Sequence, residues 1–110
     1  MNAPKHGDIG WANLNPQLGH EQAGRRPVLV LSNSRYNQLT GLIIVCPITN
    51  QAKGYPTEIP LPTEMMTTGV VLAGQVRTLD WQERKFERIE AAPKQLVWDI
   101  VELLEAIYEE

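Results

Sequence analysis

The stretch GHEQAGRRPVLVLS, from Gly19 to Ser32, is the most informative part of the sequence because it joins a polar loop to a strongly apolar strand. Four consecutive apolar residues at 28–31 predict a strand that is buried on both faces and is therefore central in its sheet. We expect this strand to span residues 26–33, with Pro27 at its start because proline has no N–H to donate. Arg26 therefore lies where the loop meets the start of a rigid strand, and functional sites are commonly built at such junctions.

The segments around this strand predict a sheet of mainly antiparallel strands. A second continuous apolar run at 42–48 is expected to pair with the first. Further strands are predicted at 8–14 with Trp11 as an aromatic anchor, at 57–61 along an edge, at 69–79 with a bend at Gly74, and at 84–91. A short helical turn is predicted within 32–41. Polar loops at 15–24 and 49–56 flank adjacent central strands, so we expect both loops to rise from the same end of the domain.

The last segment has the pattern of an amphipathic helix, and Pro93 fits its first helical position. One face is apolar, with Val97 and Val101 beside it, and consists of Leu96, Ile100, Leu103, Leu104 and Ile107. Trp98 falls on the opposite, glutamate-rich face. Many short strands and one terminal helix predict a single domain over residues 1–110, mainly β with a C-terminal helix, arranged as a small antiparallel barrel.

Composition excludes several classes of protein. The chain has 110 residues, a formal net charge of −3 and one cysteine, with no apolar run that would span a bilayer. Cys46 lies in the apolar run LIIVCPI, so we expect a buried thiol rather than a nucleophile. The N-terminus has no apolar signal-peptide core, and we expect a cytoplasmic location.

Residues 1–79 carry a net charge of +2 and residues 80–110 a net charge of −5. That distribution allows one basic face, although charge alone equally fits an ordinary solvated surface.

Residues of the two polar loops have chemistry that suits a phosphate group. Arg26 stays charged and donates several hydrogen bonds, and the alternative is a surface arginine paired with Glu21. Thr49 lies at the end of the second buried strand, where its hydroxyl either bonds a phosphate oxygen or the attacking hydroxyl, or bonds its own turn backbone. Glu21 is placed to orient Arg26 or to accept a proton, and the alternative is a solvated loop acid. The neighbouring His20 is either a proton carrier or simply exposed.

The sequence has no pattern for a metal or a nucleotide cofactor. His6, His20 and Cys46 lack the spacing of metal ligands, and no glycine-rich phosphate-binding motif is found. We therefore expect any catalysis to proceed without a metal ion and without a cofactor. Cleavage of RNA fits this restriction because the 2′-hydroxyl of the substrate supplies the nucleophile. The protein then needs only to position the chain, move protons and stabilise charge on the phosphoryl group.

Several ordered blocks resemble the MazF/PemK/ChpB toxins of bacterial toxin–antitoxin pairs. These blocks are GDIGW at 7–11, the opening stretch at 19–32, Tyr36-Asn37, VCPITNQAKGYP at 45–56 and TTGVVLAGQVRTLDW at 67–81. The resemblance implies an SH3-like small barrel of CcdB/PemK-like fold that works as a homodimer. It also implies a metal-independent endoribonuclease that cuts single-stranded mRNA at specific sequences and inhibits growth. The implied products are a 2′,3′-cyclic phosphate and a 5′-hydroxyl, and a cognate antitoxin protein covers the active site.

The resemblance also assigns roles to individual residues. The catalytic arginine of the family falls on Arg26, the catalytic threonine on Thr49, and a supporting glutamate on Glu21. In the loops 15–24 and 49–56 and beside them, the residues expected to bind RNA are Arg25, His20, Asn50, Lys53, Gln75 and Arg77.

Two other functions stay open at this point. The CcdB toxins share this barrel, bind DNA gyrase and cut nothing, so fold alone does not separate an inhibitor from a nuclease. An inhibitor would not need Arg26 and Thr49 to come together across two loops. A third interpretation is an inactive binding module that keeps only the antitoxin groove and binds peptide without cutting RNA.

Overall fold

The computed structural model describes residues 2–15 and 19–109, which form an antiparallel sheet followed by a terminal helix. Residues 16–18 of the predicted 15–24 loop lie outside the described residues. The elements of the described chain are β1 Asp8–Asn13, β2 Arg25–Val30, α1 Ser34–Thr40, β3 Leu42–Thr49, β4 Glu58–Pro60, β5 Val70–Leu72, β6 Arg77–Asp80, β7 Glu87–Ala91 and α2 Lys94–Tyr108. Every pairing between these strands is antiparallel, as predicted.

The two apolar runs lie side by side at the centre of the sheet. The strand order is β4-β5-β3-β2-β1-β7, so β2 lies between β1 and β3 and β4 forms an edge. On its other side β3 pairs with two strands in turn, with β6 along residues 42–45 and with β5 at Ile48 and Thr49. Strand β3 therefore runs through the whole fold, and we call its two termini the Leu42 end and the Thr49 end.

Burial on both faces explains the continuous apolar run of β2. Leu29 packs with Leu96 and Ile100 of α2, whereas Val28 and Val30 pack into a second cluster on the opposite face. Side chains of this size each contribute about 1.5–3 kcal/mol when fully buried. Cys46 is fully buried in the cluster under α2, and this burial raises the pKa of its thiol to about 12. The prediction of a buried thiol is confirmed.

Two predicted strands differ from the structure. The predicted strand at 69–79 is two strands, β5 and β6, separated by a 3₁₀ turn at Ala73–Gln75. The bend at Gly74 was therefore predicted in the right place, but it ends one strand and starts another that pairs with a different part of β3. The last predicted strand, at 84–91, begins only at Glu87 because residues 81–86 form a hydrogen-bonded turn, in which the Phe86 N–H donates to the Trp81 carbonyl over 3.0 Å.

The prediction that Trp11 is an aromatic anchor is wrong. Trp11 is 40% exposed, whereas Trp81 is 5% exposed and packs in the core. Alternation along β1 is the reason, because Ala12 faces the core and its neighbour Trp11 faces outward.

The terminal helix is confirmed, with two differences at its ends. Pro93 is the N-cap, and the first helical residue is Lys94. Leu96, Val97 and Ile100 are buried, but Ile107 is 49% exposed because the last turn extends beyond the core. Trp98 is exposed on the polar side, as predicted. No helix in residues 2–15 and 19–109 combines the length and apolar character needed to cross a membrane.

The Leu42 end of β3 is built around a buried side chain, Asn37. Its amide nitrogen donates to the Pro4 carbonyl over 2.8 Å and to the Ser32 carbonyl over 3.1 Å, and its amide oxygen accepts from the Ser32 hydroxyl. The Trp81 indole N–H donates to the Asn37 carbonyl over 3.1 Å. These bonds tie the N-terminal segment, α1 and the turn after β6 into one unit.

Candidate active site

Strand register brings the two predicted catalytic residues to the same place. Strands β2 and β3 pair with Val28 opposite Pro47, and Arg26 and Thr49 each lie two residues beyond that pair. Because side chains alternate along a strand, residues two positions from a paired residue lie on the same face of the sheet as that residue. Both residues line one pocket of about 320 Å³, which we call the Met66 pocket.

The Arg26 guanidinium is hydrogen-bonded at Nε, whereas its two terminal nitrogens are open to a ligand. Its Nε donates to the Ala23 carbonyl over 2.9 Å, which fixes the direction of the side chain. Among the described residues, its two terminal nitrogens have no partner in the protein. The predicted orientation of Arg26 by Glu21 is wrong in this structure, because the exposed Glu21 carboxylate forms no ion pair with any described residue. The Ala23 carbonyl performs that positioning instead.

Thr49 combines burial with an available hydroxyl proton. It is 3% exposed, and its Oγ1 accepts a hydrogen bond from the Gln51 N–H over 3.1 Å. This is the turn bond that the sequence allowed as an alternative. A hydroxyl that accepts one bond still has its own proton to donate, so the turn fixes Thr49 Oγ1 without using its donor.

The two polar loops meet at the Thr49 end, as predicted. His20, Glu21 and Arg26 line one side of a space of about 250 Å³, and Gln51 and Lys53 line the other. We call this space the loop cleft. A neighbouring space of about 250 Å³ shares His20 and Lys53 with the loop cleft and adds Thr49 and Gln75 to its walls.

The other predicted RNA-binding residues surround these spaces with different degrees of freedom. Arg25 lines the Met66 pocket, but it is paired with Glu87 over 3.1 Å. Asn50 lines the same pocket and accepts a bond from the Thr68 hydroxyl over 2.9 Å. Gln75 and Arg77 line a small space of about 170 Å³ beside Glu21. The structure thus gathers all nine predicted site residues at the Thr49 end.

Sequence reasoning missed three residues that shape this end. The backbone N–H of Gln22 donates to Gln75 Oε1 over 3.1 Å and joins the first loop to the 3₁₀ turn. The Glu58 carboxylate accepts from the backbone N–H groups of Lys53 and Gly54 over 2.8–3.0 Å and holds the second loop. Met66, which is 72% exposed, lines the Met66 pocket. None of these three residues carried a local signal in the sequence, whereas their neighbour Gly54, a glycine in the second polar loop, has φ +81°.

The lining of these spaces is cationic although the chain is acidic. Four cations (Arg25, Arg26, Lys53 and Arg77) and two carboxylates (Glu21 and Glu58) line these spaces, and because Arg25 is paired with Glu87, the lining groups without an ion-pair partner carry a net charge of +1. The whole chain carries −3. A cationic concavity attracts phosphate chains. In the described residues, no three His, Cys, Asp or Glu side chains converge to hold a metal ion.

A cavity larger than the spaces at the Thr49 end lies elsewhere. It measures about 420 Å³ and is lined by Lys5, Asp8, Trp81 and Arg88 among others. Trp81 follows Asp80, which pairs with Leu42, so this cavity is at the other end of β3. None of the nine predicted site residues lines it, and volume alone therefore does not identify the site.

Comparison with known proteins identifies the family. The family model described as "PemK-like, MazF-like toxin of type II toxin-antitoxin system" matches residues 5–108. The endoribonuclease toxin MazF of Escherichia coli K12 is 44% identical over 81 residues, which cover 74% of this chain and 72% of MazF. The endoribonuclease toxin ChpB of the same strain is 40% identical over 110 residues, covering 96% of this chain and 94% of ChpB.

Solved structures give the same result for the fold. MazF from Deinococcus radiodurans superposes with a TM-score of 0.93 at 45% identity, with 97% of each chain covered. The MazE–MazF complex from that organism superposes with a TM-score of 0.88 at 45% identity and covers 97% of this chain and 96% of the other. The expected mainly β fold with a C-terminal helix, of CcdB/PemK-like type, is confirmed. The chain belongs to the PemK-like, MazF-like family of type II toxin–antitoxin toxins.

Proposed function

We propose that this protein is an endoribonuclease toxin that cuts single-stranded mRNA at specific sequences without a metal ion. The observation that carries the proposal is that Arg26 and Thr49 both line one pocket at the cationic end of the fold. The endoribonuclease relatives at 44% and 40% identity support it. An internal 2′-hydroxyl nucleophile makes the reaction specific for RNA.

The chemistry is an in-line transfer at phosphorus. The 2′-oxygen loses its proton and forms a bond to phosphorus, while the bond from phosphorus to the 5′-oxygen breaks and the 5′-oxygen gains a proton. The products are a 2′,3′-cyclic phosphate and a 5′-hydroxyl. The open terminal nitrogens of Arg26 stabilise the charge that builds on the phosphoryl oxygens. The Thr49 hydroxyl donates to one of these oxygens and fixes the phosphate.

Two groups of the loop cleft are available to move protons. Glu21 and His20 line the cleft beside Arg26, and neither side chain bonds another described residue. We assign acceptance of the 2′-proton to Glu21, because arginine is a poor base. His20 is assigned the return of a proton to the 5′-oxygen.

The RNA chain is held by the residues around the cleft. Lys53, Arg25 and Arg77 supply charge for neighbouring phosphates, and Asn50 and Gln75 supply amides for base edges. A cationic cleft also suits a cognate antitoxin with an acidic segment, and the solved MazE–MazF complexes of a relative at 45% identity support such a partner. The family resemblance further supports a cytoplasmic homodimer.

The test is cleavage of a long single-stranded RNA in excess EDTA, with the 5′ ends of the fragments mapped. We expect discrete cuts with 5′-hydroxyl ends, and loss of each cut when the nucleotide before it carries a 2′-deoxy sugar. Intact RNA from folded protein across many sequences would contradict the proposal and direct attention to DNA gyrase. Cuts that disappear in EDTA would contradict the metal-free mechanism alone.

A further inference from the structure

The segment between β4 and β5 forms one wall of the site, and the proposed mechanism gives it no role. Residues 66–68 line the Met66 pocket together with Arg26 and Thr49. Trp11 lines the same pocket and is 40% exposed, while Met66 is 72% exposed. The pocket therefore offers an aromatic surface and an apolar surface at the segments of β2 and β3 that carry the two proposed catalytic residues.

One carboxylate holds this wall in place. Glu90 of β7 accepts three hydrogen bonds from it: from the Met66 N–H over 3.2 Å, the Thr67 N–H over 2.7 Å and the Thr67 hydroxyl over 2.6 Å. Burial alone would raise the pKa of Glu90, but the bonds from Thr67 and Met66 favour the ionised form and hold that pKa below its ordinary value. Bonds to an ionised acceptor are about twice as strong as neutral ones.

The other end of the wall is anchored beside Thr49. The Thr68 hydroxyl donates to Asn50 Oδ1, which leaves the amide nitrogen of Asn50 as a donor for a ligand. Gly69 has φ +113°, and a Cβ at this position would lie 2.3 Å from the Thr49 carbonyl oxygen. Only glycine permits this approach, so the wall passes tightly over the end of β3.

On the basis of the proposed RNA cleavage, we propose that Glu90 is a positioning residue that holds residues 66–68 as the wall of a pocket that selects one nucleobase next to the scissile phosphate. The Met66 and Trp11 side chains contact the faces of that base. The Asn50 amide donates to its edge, which favours a base that presents an acceptor there. Glu90 acts through the wall and touches no reacting atom.

The test compares four variants on a panel of RNA oligonucleotides that differ only in the base on either side of the cut. Glu90→Gln keeps the size of the side chain and places an amide N–H₂ against the donors of the wall. Thr67→Val removes one bond to Glu90 while preserving shape, and Thr67→Ser restores the hydroxyl. Glu64→Gln is the matched control, because Glu64 lies exposed in the same segment and bonds no other described residue.

We expect Glu90→Gln and Thr67→Val each to raise KM for the oligonucleotide with the preferred base by about tenfold. Each variant should also lower the ratio of kcat/KM between the preferred base and the other bases by about tenfold. A change of this size is the effect of losing one charged hydrogen bond. The kcat should change little, Thr67→Ser should behave as wild type, and Glu64→Gln should change neither constant. The affinity for a 2′-deoxy version of the preferred oligonucleotide, measured by fluorescence anisotropy, should fall in parallel with KM.

Three results would contradict the role of Glu90. They are an unchanged base preference in both variants, an equal loss of activity on all bases, and a lower melting temperature with unchanged KM. Thr67→Val carries the test if Glu90→Gln does not fold. A wild-type protein that cuts no RNA would overturn the proposed function itself, so the two failures are distinguishable.

Discussion

The two ends of β3 use polar side chains in opposite ways. At the Leu42 end, Asn37 is fully buried and its amide bonds only to other groups of the protein. Asp8, nearly buried, accepts from the Lys5 N–H over 2.9 Å and from Arg88 Nε over 3.1 Å. At the Thr49 end, the tip of Arg26 and the side chains of Glu21 and Lys53 have no partner among the described residues. Polar groups saturated by the chain stabilise it, whereas cations left open at a concave surface are available to a ligand.

This difference separates two kinds of mutational effect. Changes at the Leu42 end should alter the free energy of unfolding and leave the activity of each folded molecule intact. Changes at the Thr49 end should lower the activity of each folded molecule and leave the free energy of unfolding nearly unchanged.

Asn37→Ala should give the largest loss of stability. The substitution removes the groups that satisfy the Ser32 hydroxyl and the Pro4 carbonyl, and buried polar atoms without partners are costly. We expect the free energy of unfolding to fall by about 3 kcal/mol. Denaturant titration measures this change, and RNA cleavage per folded molecule should stay at the wild-type rate.

Asn33→Ala is the matched control at the same helix. Asn33 caps α1 by accepting from the Tyr36 N–H over 2.8 Å, but it is exposed. Its loss should cost about 1 kcal/mol. Equal costs for the two substitutions would show that burial of Asn37 does not dominate, and would weaken the contrast between the two ends.

Thr49→Val should have a smaller effect, and mainly on activity, although it also removes the acceptor of the Gln51 N–H. The two side chains have similar volume, and the substitution removes the donor assigned to a phosphoryl oxygen. We expect the rate of cleavage to fall about tenfold, as for the loss of one hydrogen bond to a charged group. Thr49→Ser should recover most of the rate. An unchanged rate in Thr49→Val would remove Thr49 from the mechanism and leave Arg26 as the only group on the phosphate.

Cys46 should not react with a thiol reagent in the native protein. Its buried thiol, with a pKa raised to about 12, is neutral and inaccessible at pH 8. A thiol reagent should modify it only in denaturant. Rapid modification of the folded protein would show that the core under α2 opens readily.

The central strands could be predicted from sequence because burial on both faces leaves an unmistakable apolar run. The meeting of the two loops followed from the adjacency of those strands. The break between β5 and β6 could not be predicted, since the apolar pattern on the two sides of Gly74 is the same for one bent strand as for two.

The carboxylates that shape the site were beyond sequence reasoning for a different reason. Glu90 bonds a segment 23 residues away, and Glu58 bonds backbone groups rather than a complementary charge. Neither contact leaves a periodic pattern. The side of β1 that faces the core also decided which tryptophan is buried, and only tertiary structure shows that Trp81 rather than Trp11 is the anchor.

We propose that the open guanidinium of Arg26 serves RNA cleavage and not the fold. The most direct measurement is the cleavage rate of one RNA substrate by wild type and by Arg26→Ala, with the free energy of unfolding determined on the same samples. We predict a loss of about 10³-fold or more in rate, with stability unchanged within about 0.5 kcal/mol. Cleavage at the wild-type rate by folded Arg26→Ala would contradict the account.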